Sequence, residues 1–148
     1  MKGEQAMALV YPETRYGPPD LTDLAEDASR ERLSPAALRA FFRLVDAWGI
    51  SADDAMKLLG GVPSSTYYNL RRRPRTLDVD SLSRVSYLIG IYKALHLLHS
   101  DALADRWVTL PNRNPIFNGA TPLQYLIHGG IPAFAVVRRL LDARRGGV

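Results

Sequence analysis

The 148-residue sequence predicts an all-α fold. Apolar residues recur at three-to-four spacing through most of the chain, which lays a single stripe along a helix. Cap residues, first-turn prolines and closing glycines bracket these stretches at helix-like lengths. Nowhere do apolar and polar residues alternate as in a half-buried strand.

Residues 1–32 stand apart. Tyr11-Pro12 and Gly17-Pro18-Pro19 break any helix there, because proline lacks an N–H and restricts the residue before it. The segment is expected to be a loosely ordered or partner-ordered arm, with Leu21 and Leu24 docking one short turn. A first helix is expected from Ser34 as N-cap, with Pro35 at the first helical position. Leu38, Phe41, Phe42, Val45 and Trp48 form its stripe, and Gly49 stops it. Ser51 opens a second helix, with Asp54 in a capping-box-like position, Ala55, Leu58 and Leu59 on its buried side and Gly60-Gly61 at its end.

A third helix runs from about Ser64 to Arg72 and stops at Pro74. Asp78 or Asp80 opens a fourth, reaching about His99, with Leu82, Val85, Leu88 or Ile89, Tyr92 and Leu95 on its main stripe. Ile91, Ala94 and Leu98 add apolar area on another face, as suits a central helix or a dimer seam. A short helix around 101–108 precedes a loop from Pro111 to Gly119, rich in Asn, Pro and Gly. Thr121-Pro122-Leu123-Gln124 carries every helix-start signal, and that helix ends at Gly129-Gly130. The last helix begins near Pro132, buries Phe134, Val137 and Leu140 or Leu141, and ends at Gly146-Gly147.

The expected organisation is an arm over 1–32, a helix-turn-helix domain with a long fourth helix over 33–99, and a C-terminal helical domain over 100–148. Charge divides along similar lines. Residues 1–32 hold four basic and seven acidic side chains, whereas residues 33–148 hold fifteen basic and eight acidic ones. The basic part suits a nucleic acid or an acidic protein as partner. Cysteine is absent, which excludes disulfides and thiolate metal sites. No export signal or membrane-length apolar stretch is seen, so a cytoplasmic setting is expected.

The second and third helices, joined by Gly60-Gly61-Val62-Pro63, have the layout of a DNA-binding helix-turn-helix. The third helix would enter the major groove. Ser64, Ser65 and Thr66 could bond base edges or phosphates there, and Asn69 could pair with adenine. Arg71, Arg72, Arg73 and Arg75 follow and are placed to neutralise phosphates. The competing reading makes these arginines a solvated helix end offsetting the dipole, with Tyr67, Tyr68 and Leu70 in the core. The coincidence of charge, turn and hydroxyls favours DNA contact.

A more specific signal lies further on. The run Asn112-x-Asn114-Pro115-Ile116-Phe117-Asn118-Gly119-x-Thr121-Pro122-Leu123-x-Tyr125-Leu126, followed by Gly129-Gly130 and a closing amphipathic helix, resembles the toxin-binding domain of the Xre/MbcA/ParS antitoxins. In that family such a helix start follows a tryptophan helix, here carrying Trp107. Leu58-Leu59-Gly60 followed by Ser64-Ser65-Thr66-Tyr67-Tyr68 is similar to the family's Xre-like helix-turn-helix. The resemblance covers about residues 33–148; the four arginines are more basic than its pattern requires.

The resemblance implies an antitoxin that occludes a cognate RES-type toxin, one that consumes NAD or transfers its ADP-ribose. It also implies autorepression through operator DNA, with a homodimer placing two recognition helices on two half-sites. The last helix and its tail are expected to enter the toxin's NAD cleft. There Arg138, Arg139, Arg144 and Arg145 would meet acidic partners, and Gly146-Gly147 would bring the backbone and Val148 close to the pocket. The bland reading is a solvated C-terminus.

Nothing in the sequence points to catalysis, a cofactor or a metal. His96 and His99 are spaced as two metal ligands on one helix, but an ordinary surface or helix-end role suits them better. Asp53-Asp54 and Asp78-x-Asp80 read as caps, Trp48 and Trp107 as core aromatics, and the paired glycines as helix ends. A stand-alone helix-turn-helix regulator is the alternative, needing the basic helix but no toxin surface.

Overall fold

The computed structural model describes residues 25–145. The expectations for residues 1–24, the docking of Leu21 and Leu24 among them, lie outside the described residues, as do Gly146, Gly147 and Val148. The described residues hold seven α-helices and no strand: α1 Asp27–Trp48, α2 Ala52–Leu58, α3 Ser64–Arg72, α4 Val79–Leu98, α5 Asp101–Arg106, α6 Pro122–Gly129 and α7 Ile131–Arg145. Single 3-10 turns at Trp107–Thr109 and Pro115–Phe117 join α5 to α6.

α4 is the central helix, packed most extensively against α7 on one side and α1 on the other. It buries Leu82, Val85, Leu88, Ile91, Ala94 and Leu95, and Ile89 is only half-buried. Burial on several sides explains why its apolar pattern is broader than one stripe. Asp78 caps it, accepting the Ser81 N–H at 2.8 Å, while Asp80 accepts from Arg84 Nε at 2.8 Å. Against α4, α1 brings Leu38, Phe41, Val45 and Trp48, and α7 brings Phe134, Val137 and Leu141.

α1 departs from expectation at its start, which is Asp27 and not Ser34. Pro35 lies inside the helix. Its missing N–H would have bonded the carbonyl of Glu31, and Glu31 is exposed, so water can take that place. Ser34 caps nothing. It is fully buried, and its Oγ accepts the Leu77 N–H at 2.9 Å across the fold. The first turn is held instead by the Arg30 N–H to the Glu26 carbonyl at 3.0 Å and by an Arg30–Asp27 ion pair.

The remaining boundaries follow local chemistry. Ser51 Oγ accepts the Asp54 N–H at 3.1 Å to open α2. Thr121 and Gln124 form a reciprocal capping box at α6, with bonds of 3.1 and 2.9 Å. No helix among the described residues is long and apolar enough to cross a membrane.

Candidate functional site

α2 and α3 pack against one another across a turn that needs two glycines, with φ +98° at Gly60 and +87° at Gly61. The Gly61 N–H closes α2 on the Met56 carbonyl at 2.9 Å. A side chain at Gly60 would meet Arg84 Nε at 3.2 Å and the Asp80 carboxylate at 3.3 Å, so α4 presses directly on this turn.

α3 turns Tyr67 and Leu70 inward and the rest of its surface outward. Ser65, Tyr68, Asn69 and Arg72 recur at helical spacing and share one exposed face. Ser64 is exposed beside them and Thr66 half-buried. Pro63, at the cap position, offers no side-chain bond, so the first-turn N–H groups stay open to an acceptor from outside. Tyr68 is 46 % exposed. It belongs to the outward face, and not to the core where the competing reading set it beside Tyr67 and Leu70. Its position one residue from Tyr67, a quarter-turn around the helix, was the available signal.

The four arginines divide. Arg71 turns back onto α1: its Nη2 bonds both oxygens of Asp46, at 3.0 and 2.9 Å, and its guanidinium lies 5.1 Å from the Phe42 ring centroid. The bond to Asp46 holds its pKa above the ordinary arginine range. Burial raises the Tyr67 hydroxyl above its usual pKa, and a hydrogen bond with Arg71 pulls the other way. Arg71 therefore secures α3 to α1 and is not a free phosphate ligand. Arg72, which donates to Asn69 Oδ1, lines a concavity of about 590 Å³ with Asn69, Arg73, Pro74 and Arg75. Three guanidiniums, one amide and no carboxylate give it a lining whose chemistry suits anions.

The C-terminal set is also split. Arg138, expected to meet acidic partners in the toxin's cleft, is only 4 % exposed. It lies between α7 and α4, with Nε donating to Asp142 at 3.0 and 3.2 Å, in space left by Gly90. Burial removes it from any contact with a partner's cleft. Arg145 reaches Asp142 at 3.7 Å. Arg139 and Arg144 are exposed. α6 and α7 also form a shallow, mainly apolar hollow of about 320 Å³, lined by Tyr125, His128, Gly129, Pro132, Ala133 and Val136.

The Asn-rich loop before α6 is a structural element. Asn112 Oδ1 accepts the Asn114 N–H at 2.9 Å, and Asn114 Oδ1 accepts the Ile116 N–H at 3.1 Å. Asn118 takes the left-handed conformation at φ +50°. These turns seat Phe117 between Trp107 and Tyr125, with ring centroids 6.0 and 5.3 Å apart. His96 is structural too, its Nδ1 and Nε2 each 2.9 Å from a carboxylate, of Asp101 and Asp105. Among the described residues, no three His, Asp or Glu side chains are grouped to hold a metal ion.

A helix-turn-helix carrying an anion-receptive concavity, joined through α4 to a helical hairpin, defines a regulator of the binding type. Residues 27–90 match the antitoxin Xre-like helix-turn-helix domain, and residues 93–147 match the antitoxin Xre/MbcA/ParS C-terminal toxin-binding domain. A relative from Sinorhizobium fredii (strain NBRC 101917 / NGR234), named uncharacterized protein y4oB, is 41 % identical over 114 residues, covering 76 % of this chain and 87 % of the relative. No solved structure matches. The chain belongs to the Xre/MbcA/ParS antitoxin family. Its toxin-binding domain implies a toxin protein as partner, and its helix-turn-helix implies DNA binding.

Proposed function

We propose that the chain neutralises a RES-domain toxin, one that consumes NAD or transfers its ADP-ribose, by covering the toxin's NAD site. We further propose that it represses its own operon as a homodimer on operator DNA. The observation that carries the first reading is the match of residues 93–147 to a toxin-binding domain, a hairpin that carries both an apolar hollow and exposed arginines.

Physically, the occluding element is the end of α7 and the residues after it. Arg139 and Arg144 present guanidinium forks that suit carboxylates at the rim of an NAD cleft. Arg145, Gly146, Gly147 and Val148 continue from them, and the two glycines permit close backbone approach. Arg138 takes no part. It is buried against Gly90 of α4 and paired with Asp142 on its own helix. Operator binding rests on the outward face of α3, Ser64, Ser65, Thr66 and Asn69 included, with phosphate contacts from Arg72, Arg73 and Arg75.

The test is an NAD-consumption assay on the purified protein encoded beside this chain. The full chain is expected to abolish consumption at equimolar ratio, and a chain ending at Asp142 to leave most of it. Full neutralisation by the shortened chain contradicts occlusion by the tail and leaves the antitoxin reading standing. No NAD consumption by the neighbour, with or without the chain, contradicts the RES assignment.

A further inference from the structure

The face of α1 beside the arginine concavity carries charge that the fold does not use. Arg39 and Arg43 are exposed and four residues apart on one helical face, and Arg32 lies seven residues before Arg39 on the same face. Arg39 and Arg43 line a concavity of about 260 Å³ with Phe42, Asp46, Arg71 and Pro74. Among the described residues, neither has an ion-pair partner. Asp46, the carboxylate in that lining, is engaged by Arg71. Pro74 also lines the neighbouring concavity of Arg72, Arg73 and Arg75, so the two hollows share a wall.

Six guanidiniums thus line the two hollows, and the one carboxylate among them, Asp46, is already paired with Arg71. Arginines at i, i+4 repel one another on a helix, and a partner of regularly spaced negative charge relieves that repulsion. The basic surface is also continuous with the outward face of α3 through Arg72. We infer that α1 is a second phosphate-binding element, in which Arg39 and Arg43 hold the DNA backbone on the flank of the site while α3 faces the bases. This inference rests on the DNA-binding reading of α3. A nucleic-acid backbone fits better than an acidic protein because the α1 hollow shares Pro74 with the arginine concavity at the end of α3, the helix that would meet the duplex.

Fluorescence anisotropy of the full chain decides the matter, using a duplex from its operon promoter and a scrambled duplex of equal length across a potassium chloride series. Each phosphate contact adds ~0.9 to the slope of log affinity against log salt. The double variant Arg39→Gln/Arg43→Gln is expected to flatten the slope by about 2 on both duplexes, leaving the ratio of their affinities unchanged. Arg39→Lys/Arg43→Lys, which keeps the charge and controls for folding, is expected to retain the slope. An unchanged slope in the glutamine variant, with wild-type binding intact, overturns the assignment of α1 alone. If that variant loses affinity for the toxin instead, the stripe belongs to an acidic protein face and the inference is equally overturned. No binding of either duplex by the wild-type chain, even at low salt, overturns the DNA reading of α3 and this inference with it.

Discussion

At Gly90, the absence of a side chain on α4 admits the Arg138 guanidinium from α7. A Cβ there would collide with Arg138 Nη1 and stand 3.0 Å from its Cζ. The arginine is enclosed, with Nη2 buried and without a hydrogen-bond partner, so it cannot yield without leaving Asp142. Gly90→Ala should therefore destabilise the fold by about 1–3 kcal/mol in urea denaturation, despite alanine's better helix propensity. Arg138→Met in the same background should recover most of that loss, since an apolar side chain often replaces a buried ion pair at little cost. A neutral Gly90→Ala, or strict additivity of the two changes, contradicts this account of the contact. Arg71 teaches a related lesson. In the sequence it is one of four equivalent cations, but Asp46, distant in the chain, takes it out of that group. Asp46 and Gly90 lie far in the chain from Arg71 and Arg138, so the places of those two arginines were not legible, whereas Arg72, Arg73 and Arg75 are simply exposed.

Among the elements, those whose ends are set by short-range chemistry were legible. Ser51, Asp78 and Thr121 each cap the helix that the sequence assigns to them. α1 misled because Ser34-Pro35 is a genuine start signal in the wrong context. The hydroxyl serves Leu77, and the proline's missing bond falls on exposed backbone. The α6 box matters most to the toxin-binding domain, because α6 carries Leu123 and Leu126 into the core and packs on both α2 and α7. Thr121→Ala should cost about 1 kcal/mol of stability, read as a lowered denaturation midpoint with unchanged slope. A larger loss accompanied by a changed slope would mean that the cap supports more than its own helix. The Asn-rich motif that carries the family resemblance proves to be a device for seating Phe117.

Over the whole molecule, α4 joins the two functions. The helix-turn-helix match ends at residue 90 and the toxin-binding match begins at 93, both inside α4. Arg84 on that helix touches the Gly60 turn and lies 5.9 Å from the Phe134 ring of α7, so the two parts share one core. Fold class, helix order and the basic third helix were readable from periodicity and composition. The identity of the partner came from the family motif, because no packing rule encodes what a surface will meet. The central claim is that the chain binds and silences a toxin encoded beside it. Co-expression of the two proteins, with affinity capture of one and measurement of cellular NAD, tests this most directly. The account predicts a stable complex, normal NAD and normal growth with both proteins, and NAD collapse when the neighbour is expressed alone. Failure to co-purify, or NAD collapse that the chain does not prevent, would contradict it.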